Sequence, residues 1–328
     1  MSREPFRGIA ATTHLDKHGE CVSKQLLDQW VADFRESGEP LWSYWNHQTT
    51  LPPILLVTKE RVEQSDDGEY VLAVEGVILG EDDFEILPQS DLERVQVSSK
   101  EVTEVLKATP VRLETLEISY DPRNFNPDEA SPIIASIDEL IPTTQRMFVR
   151  KSEIPQVVVW ILVAFATGLV QRVGEVVADR TLESLHRTLN QRISLLLSKS
   201  KASEKPDVIF SVTVPNSNTI VEGAVENASK QVLQRVWSSL PELYGFALSL
   251  VRKNRKDFFS QMKFLFNPVT NKWEINYLVT RGTNRVILGP RYYDRLHPLR
   301  QRWQNARTNY TSSGHAHLGM SVGFRSPE

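Results

Sequence analysis

The stretch at residues 40–57, PLWSYWNHQTTLPPILLV, carries the most suggestive reactive group of the chain, the imidazole of His47. Trp42, Tyr44 and Trp45 precede it. A Pro52-Pro53 corner follows and leads into the apolar run Ile54 to Val57. An imidazole ordinarily titrates close to neutrality, so it can take up and return protons during a reaction. A histidine among aromatics between two strand-like runs is either a packed core residue or a positioned acid/base, and both readings stay open. Other reactive groups offer less. Cys21 stands between Glu20 and Val22, neither of which stabilises a thiolate. There is no glycine-rich phosphate loop and no metal-ligand spacing, so neither a cofactor nor a metal is expected. His315 and His317, in a Gly/Ser-rich tail, would need metal ligands from elsewhere.

The elements that must position His47 can be read in order. Residues 6–13, FRGIAATT, read as a strand ending in the turn HLDKHGE, residues 14–20. Ser23 offers a hydroxyl cap to a helix in which Leu26, Leu27, Trp30, Val31 and Phe34 recur on one face. Residues 41–45 and 54–59 are strand-like. SDDGE at residues 65–69 signals a hairpin whose return strand runs from Tyr70 to Leu79. Further on, VRLETLEISY at residues 111–120 alternates apolar and polar residues, as a half-buried strand does.

Residues 6–79 resemble the prohead (capsid maturation) serine proteases of tailed phages. The matching residues are Asp16 and Gly19 in the first turn, the Asn46-His47 pair, Pro52-Pro53-Ile54, and Gly68 in the hairpin. The resemblance covers less than a quarter of the chain. It implies a mixed, β-rich fold and a serine nucleophile whose proton passes to His47. The family's serine lies in a strand after the hairpin, in a motif like Leu-Ser-Ile-Gly-Phe. The candidate in chain order is Ser119, in LEISYDP, where the Gly-Phe is missing. Ser321, in GMSVGF, is the better local match and the more distant one, since it requires the middle of the chain to be an insertion. Glu114, Glu117 and Asp121 stand near Ser119, but no third member of a triad can be assigned. The same fold with no working serine, and with His47 packed among Trp42, Tyr44 and Trp45, is the competing reading.

The rest of the chain frames these candidates. Residues 126–152, with Pro127, Pro132 and Pro142, read as a linker. Ile154 to Val170 is the most apolar stretch and reads as a long helix, continued as an amphipathic helix over residues 171–197. It packs on protein or a partner, or it meets a membrane, for which about 20 residues are needed. The polar SKSKASEKP, residues 198–206, marks a boundary. Beyond it a strand at 208–214, helical residues 222–250 broken near Pro241, and a hairpin of 261–267 with 273–280 give a small α/β domain. Seven arginines from Arg281 to Arg307, with Tyr292, Tyr293 and Trp303 interleaved, form a basic tail at residues 291–328 and just before it. It could contact phosphates and stack on bases, although a solvated tail or an acidic protein partner fits as well. The balance of 38 basic against 41 acidic residues gives a net charge of −3 and no global nucleic-acid footprint. A single cysteine and an N-terminus without a signal-peptide core lead to the expectation of a cytoplasmic protein, membrane-associated if Ile154 to Val170 inserts.

The expected architecture is therefore α+β: a prohead-protease-like domain at 1–125, a linker at 126–152, an apolar and then amphipathic helical segment at 153–200, a small α/β domain at 206–290, and the tail. Two functions follow. The first is a Ser/His peptidase acting on a protein substrate through His47 and Ser119 or Ser321. The second is a non-catalytic interaction or scaffold protein that holds protein partners. The sequence leaves the oligomeric state open.

Overall fold

A computed structural model describes residues 4–14, 21–37, 41–44, 50–79, 83–86, 104, 111–122, 124–139, 141–147, 156–165, 175–202, 205–214, 217–254 and 258–289. In chain order the elements are β1 (Glu4–Thr12), α1 (Lys24–Ser37), β2 (Leu41–Tyr44), β3 (Pro53–Gln64), β4 (Tyr70–Ile78), β5 (Phe84–Ile86), β6 (Val111–Tyr120), α2 (Pro127–Asp138), β7 (Thr143–Met147), β8 (Gln156–Phe165), α3 (Glu175–Ser198), β9 (Asp207–Val214), β10 (Thr219–Val225), α4 (Lys230–Lys253), β11 (Phe259–Asn267), β12 (Lys272–Thr280) and β13 (Val286–Leu288). The described residues of Met1–Ile86 and Asn284–Glu328 form one compact unit, and those of Leu87–Thr283 form another.

In the first unit four antiparallel strands run in the order β1-β4-β3-β2. Ser23 starts α1 as expected, its hydroxyl accepting from the Leu26 N–H at 3.2 Å. The apolar face of α1 brings Leu27 and Val31 onto Phe6, Leu41, Leu55, Val57, Leu72 and Val74 of the sheet. The hairpin expected at residues 65–69 joins β3 to β4. Gly68 there has φ +91°, a left-handed conformation that a side chain strains. β5 and β13 add a short parallel pair.

In the second unit seven strands follow the order β12-β11-β10-β9-β8-β6-β7. The β9–β10 and β11–β12 connections turn on Asn218 and Asn271, with φ 50° and 55°. Asparagine tolerates that region because its short side chain can bond to nearby backbone. The helix α4 covers one face. Phe210 meets Trp237 edge-on at 5.0 Å, and Phe264 meets Phe246 at 5.4 Å.

This architecture corrects the expected α+β arrangement of a protease-like domain, a long apolar helix and a separate small α/β domain. The stretch Ile154 to Val170 does not form a helix where it is described: Gln156–Phe165 is the strand β8. It pairs antiparallel with β6 and parallel with β9. Val157, Val158, Val159, Ile161 and Val163 are β-branched, and such side chains favour a strand. A strand buried on both faces shows no alternation and reads as one continuous apolar run, much as a buried helix does. Val157, Val158 and Val159 are at most 1% exposed. Among the described residues, no helix is long and apolar enough to cross a membrane. The strands β9 to β12 are not set apart as a small domain, because β8, β6 and β7 continue the same sheet.

Smaller corrections concern proline. The expected linker holds α2 and β7. Pro127 occupies the first turn, where its missing N–H costs nothing, and the Asn126 side chain caps the helix. Burial of Ile133, Ile134 and Ile137 carries the helix past Pro132. Residues 219–225, partly assigned to a helix on sequence, are the strand β10. The helix α4 begins later, capped by Ser229, and runs unbroken through Pro241. Leu233, Trp237, Leu240, Leu243 and Leu248, all buried, outweigh the one backbone bond that Pro241 removes.

Candidate functional site

Ser119 lies on β6, an interior strand. Its neighbours in the ladders are Arg146 on β7 and Val158 on β8. The side chain is buried, and its hydroxyl donates to Oε1 of Glu117 at 3.0 Å. Two residues apart on a strand, Glu117 and Ser119 project to the same face. A nucleophilic serine needs a base that removes its proton and N–H groups that meet the developing oxyanion. Here the hydroxyl proton goes to a carboxylate, and the backbone on both sides of Ser119 lies within the sheet. No imidazole lies beside Ser119 among the described residues. His47 and Ser321 lie outside the described residues, as do Asp16, Gly19, Asn46 and the tail at 291–328. Trp42 and Tyr44, the aromatics of the His47 stretch that are described, are buried on β2.

A serine, an aspartate and a histidine do meet at the exposed tip of the first unit. The Ser65 hydroxyl donates to Oδ1 of Asp67 at 2.6 Å, and Nε2 of His14 is 3.0 Å from Oδ2 of the same carboxylate. The carboxylate stands in the middle, whereas activation of a serine needs the imidazole there. The Ser65 hydroxyl, the Glu69 backbone N–H and the His14 ring hold the Asp67 carboxyl below its usual range. These contacts brace the hairpin. A row of largely half-buried charges crosses the same sheet: Arg61 donates to Glu75 at 2.7 Å and also contacts Glu63, and the exposed Lys59 approaches Glu75 at 3.6 Å. Their opposite signs alternate, as on a solvated face.

The most polar buried array lies on the seven strands of the second unit. Cross-strand partners share a face, and successive pairings link Ser211, Glu222 and Lys263 across β9, β10 and β11. Strand alternation puts this row on the face away from α4, because Phe210, Gly223 and Phe264 point toward the helix. The Lys263 ammonium donates to Oε2 of Glu222 at 2.8 Å, and the Gln261 amide donates to the same oxygen at 2.9 Å. The Lys263 side chain is 0% exposed and that of Glu222 8%. Beside them the hydroxyls of Ser211 and Thr213 are buried with no hydrogen-bond partner among the described residues. Among the described residues, no cluster of His, Cys, Asp and Glu could hold a metal ion.

Sequence reasoning misses this array because Glu222 falls among the residues read as helical, 222–250, and Lys263 in the hairpin of 261–267 with 273–280. The available signal was one acid in TIVEGAV and one base in FSQMKFLFN, lone opposite charges inside apolar strands. No protein-family model, curated protein or solved structure matches the chain.

Proposed function

We propose that the chain acts as a non-catalytic interaction protein. The setting of Ser119 carries this reading: it is a buried serine on an interior strand whose proton is donated to Glu117. That geometry commits the hydroxyl proton to a carboxylate and uses the hydroxyl to order it. The same unit offers a surface suited to contact. The β11–β12 turn presents Val269 at 87% exposure. The Arg235 guanidinium braces the turn by donating to the Pro268 carbonyl at 3.1 Å and to Oδ1 of Asn271 at 2.8 Å. Oδ1 of Asn267 accepts from the Val269 N–H at 3.0 Å. A contact residue held in place before binding loses little entropy on binding.

The test is intact-mass analysis of the full chain after prolonged incubation, with wild type and His47→Ala in parallel, alone and with casein. Both chains staying whole, with casein uncut, supports the reading. Fragments from the wild type that disappear in His47→Ala overturn it in favour of a Ser/His peptidase, and Ser119→Ala and Ser321→Ala then identify the nucleophile.

A further inference from the structure

We propose that the buried Glu222–Lys263 pair sets the register in which β10 and β11 associate. The two strands are parallel and are joined through α4, which has 24 residues, not through a tight turn. They form the seam between two hairpins, β9–β10 and β11–β12. A hairpin takes its register from its turn, whereas a crossover helix leaves register to the side chains.

Apolar patterning excludes only part of what β10 and β11 could do. A slip of one residue would send every side chain to the opposite face. A slip of two residues keeps each side chain on its own face, so alternation does not forbid it. In the observed register Ile220 faces Gln261, Glu222 faces Lys263 and Ala224 faces Leu265. Sliding one way by two sets Glu222 against Gln261 and Lys263 against Ala224. Sliding the other way sets Lys263 against Ile220 and Glu222 against Leu265. Either slip puts an ammonium that is 0% exposed opposite an apolar side chain. A buried charge moved from its partner is strongly disfavoured, while a pair of apolar residues at the same two positions would fit several registers. The pair therefore selects one alignment of the two hairpins. The Ser211 and Thr213 hydroxyls lie on β9, whose register with β10 is set by the turn at Asn218, and they take no part in this choice.

The experiment is methyl NMR of the full chain, with labelled alanine and leucine methyls, on wild type and on the double variant Glu222→Leu/Lys263→Met. The reporter is the contact between the Ala224 and Leu265 methyls, which lie opposite each other and pack in one cluster. Wild type should give one set of signals with that contact. The double variant should fold and give a second set lacking it, populated at about 5% or more. A double variant with one set and the Ala224–Leu265 contact of the wild type overturns the proposal. If the double variant does not fold, the charge swap Glu222→Lys/Lys263→Glu decides. A swap that folds with the wild-type contact supports the register role, and a swap that loses the contact or the fold overturns it.

Discussion

Lys263→Met isolates the energetic weight of the buried pair. Methionine keeps most of the volume of the lysine stem and removes the ammonium. Glu222 then stays in place, 8% exposed, with the Gln261 amide still donating at 2.9 Å. Removing one partner of a buried ion pair costs about 3–5 kcal/mol, because the other charge remains buried. The retained amide bond, worth about 1 kcal/mol, puts the expected loss near the lower end, about 3 kcal/mol. Equilibrium urea unfolding, followed by the fluorescence of Trp237 and Trp273, measures it. With a slope of about 3 kcal/mol/M the midpoint should fall by about 1 M. The double variant Glu222→Leu/Lys263→Met should lose less than Lys263→Met alone, since no charge is stranded. A loss below about 1 kcal/mol for Lys263→Met would refute the view of a closed, desolvated pair.

Three further outcomes follow from the same geometry. Gly223→Ala would bring a Cβ to 2.6 Å from Leu243 and 2.8 Å from Trp273, so a loss of about 1–3 kcal/mol is expected in thermal unfolding; unchanged stability would mean that α4 can shift to make room. Gly68→Ala places a side chain at φ +91°, and hydrogen exchange at the β3–β4 tip should quicken by an amount matching about 1–2 kcal/mol, with no change in the second unit. The Asp67 carboxyl is held below its usual range by Ser65, the Glu69 N–H and His14. Its contribution is thus present above the ordinary carboxylate pKa and is lost as pH falls through the depressed folded value. Asp67→Asn should flatten the acid limb of hairpin stability, read by amide exchange between pH 5 and 2 as about the span involved. An acid limb identical to wild type would remove Asp67 from the brace.

The first unit was legible because its signals are local. Ser23 caps, SDDGE turns, and the residues Leu27 and Val31 meet a sheet whose strands are joined mostly by neighbours in sequence. The second unit was less legible because its cues are ambiguous without partners. QVVVWILVAF has no period that separates a doubly buried strand from a buried helix. Pro132 and Pro241 signal breaks that burial overrides, and Glu222 and Lys263 lie far apart in sequence until β10 and β11 meet. Of the reactive candidates, His47 and Ser321 rest on the sequence alone. Ser119 takes its meaning from Glu117, two residues away, a spacing that was visible but whose hydrogen bond was not.

The most direct measurement of the non-catalytic reading is exposure of the native chain to a fluorophosphonate, which bonds covalently to activated serine hydroxyls, followed by intact mass. The mass of the unmodified chain is expected for wild type, His47→Ala and Ser119→Ala alike. An adduct on the wild type that maps to Ser119 or Ser321 and is lost in His47→Ala would contradict it and establish an activated serine.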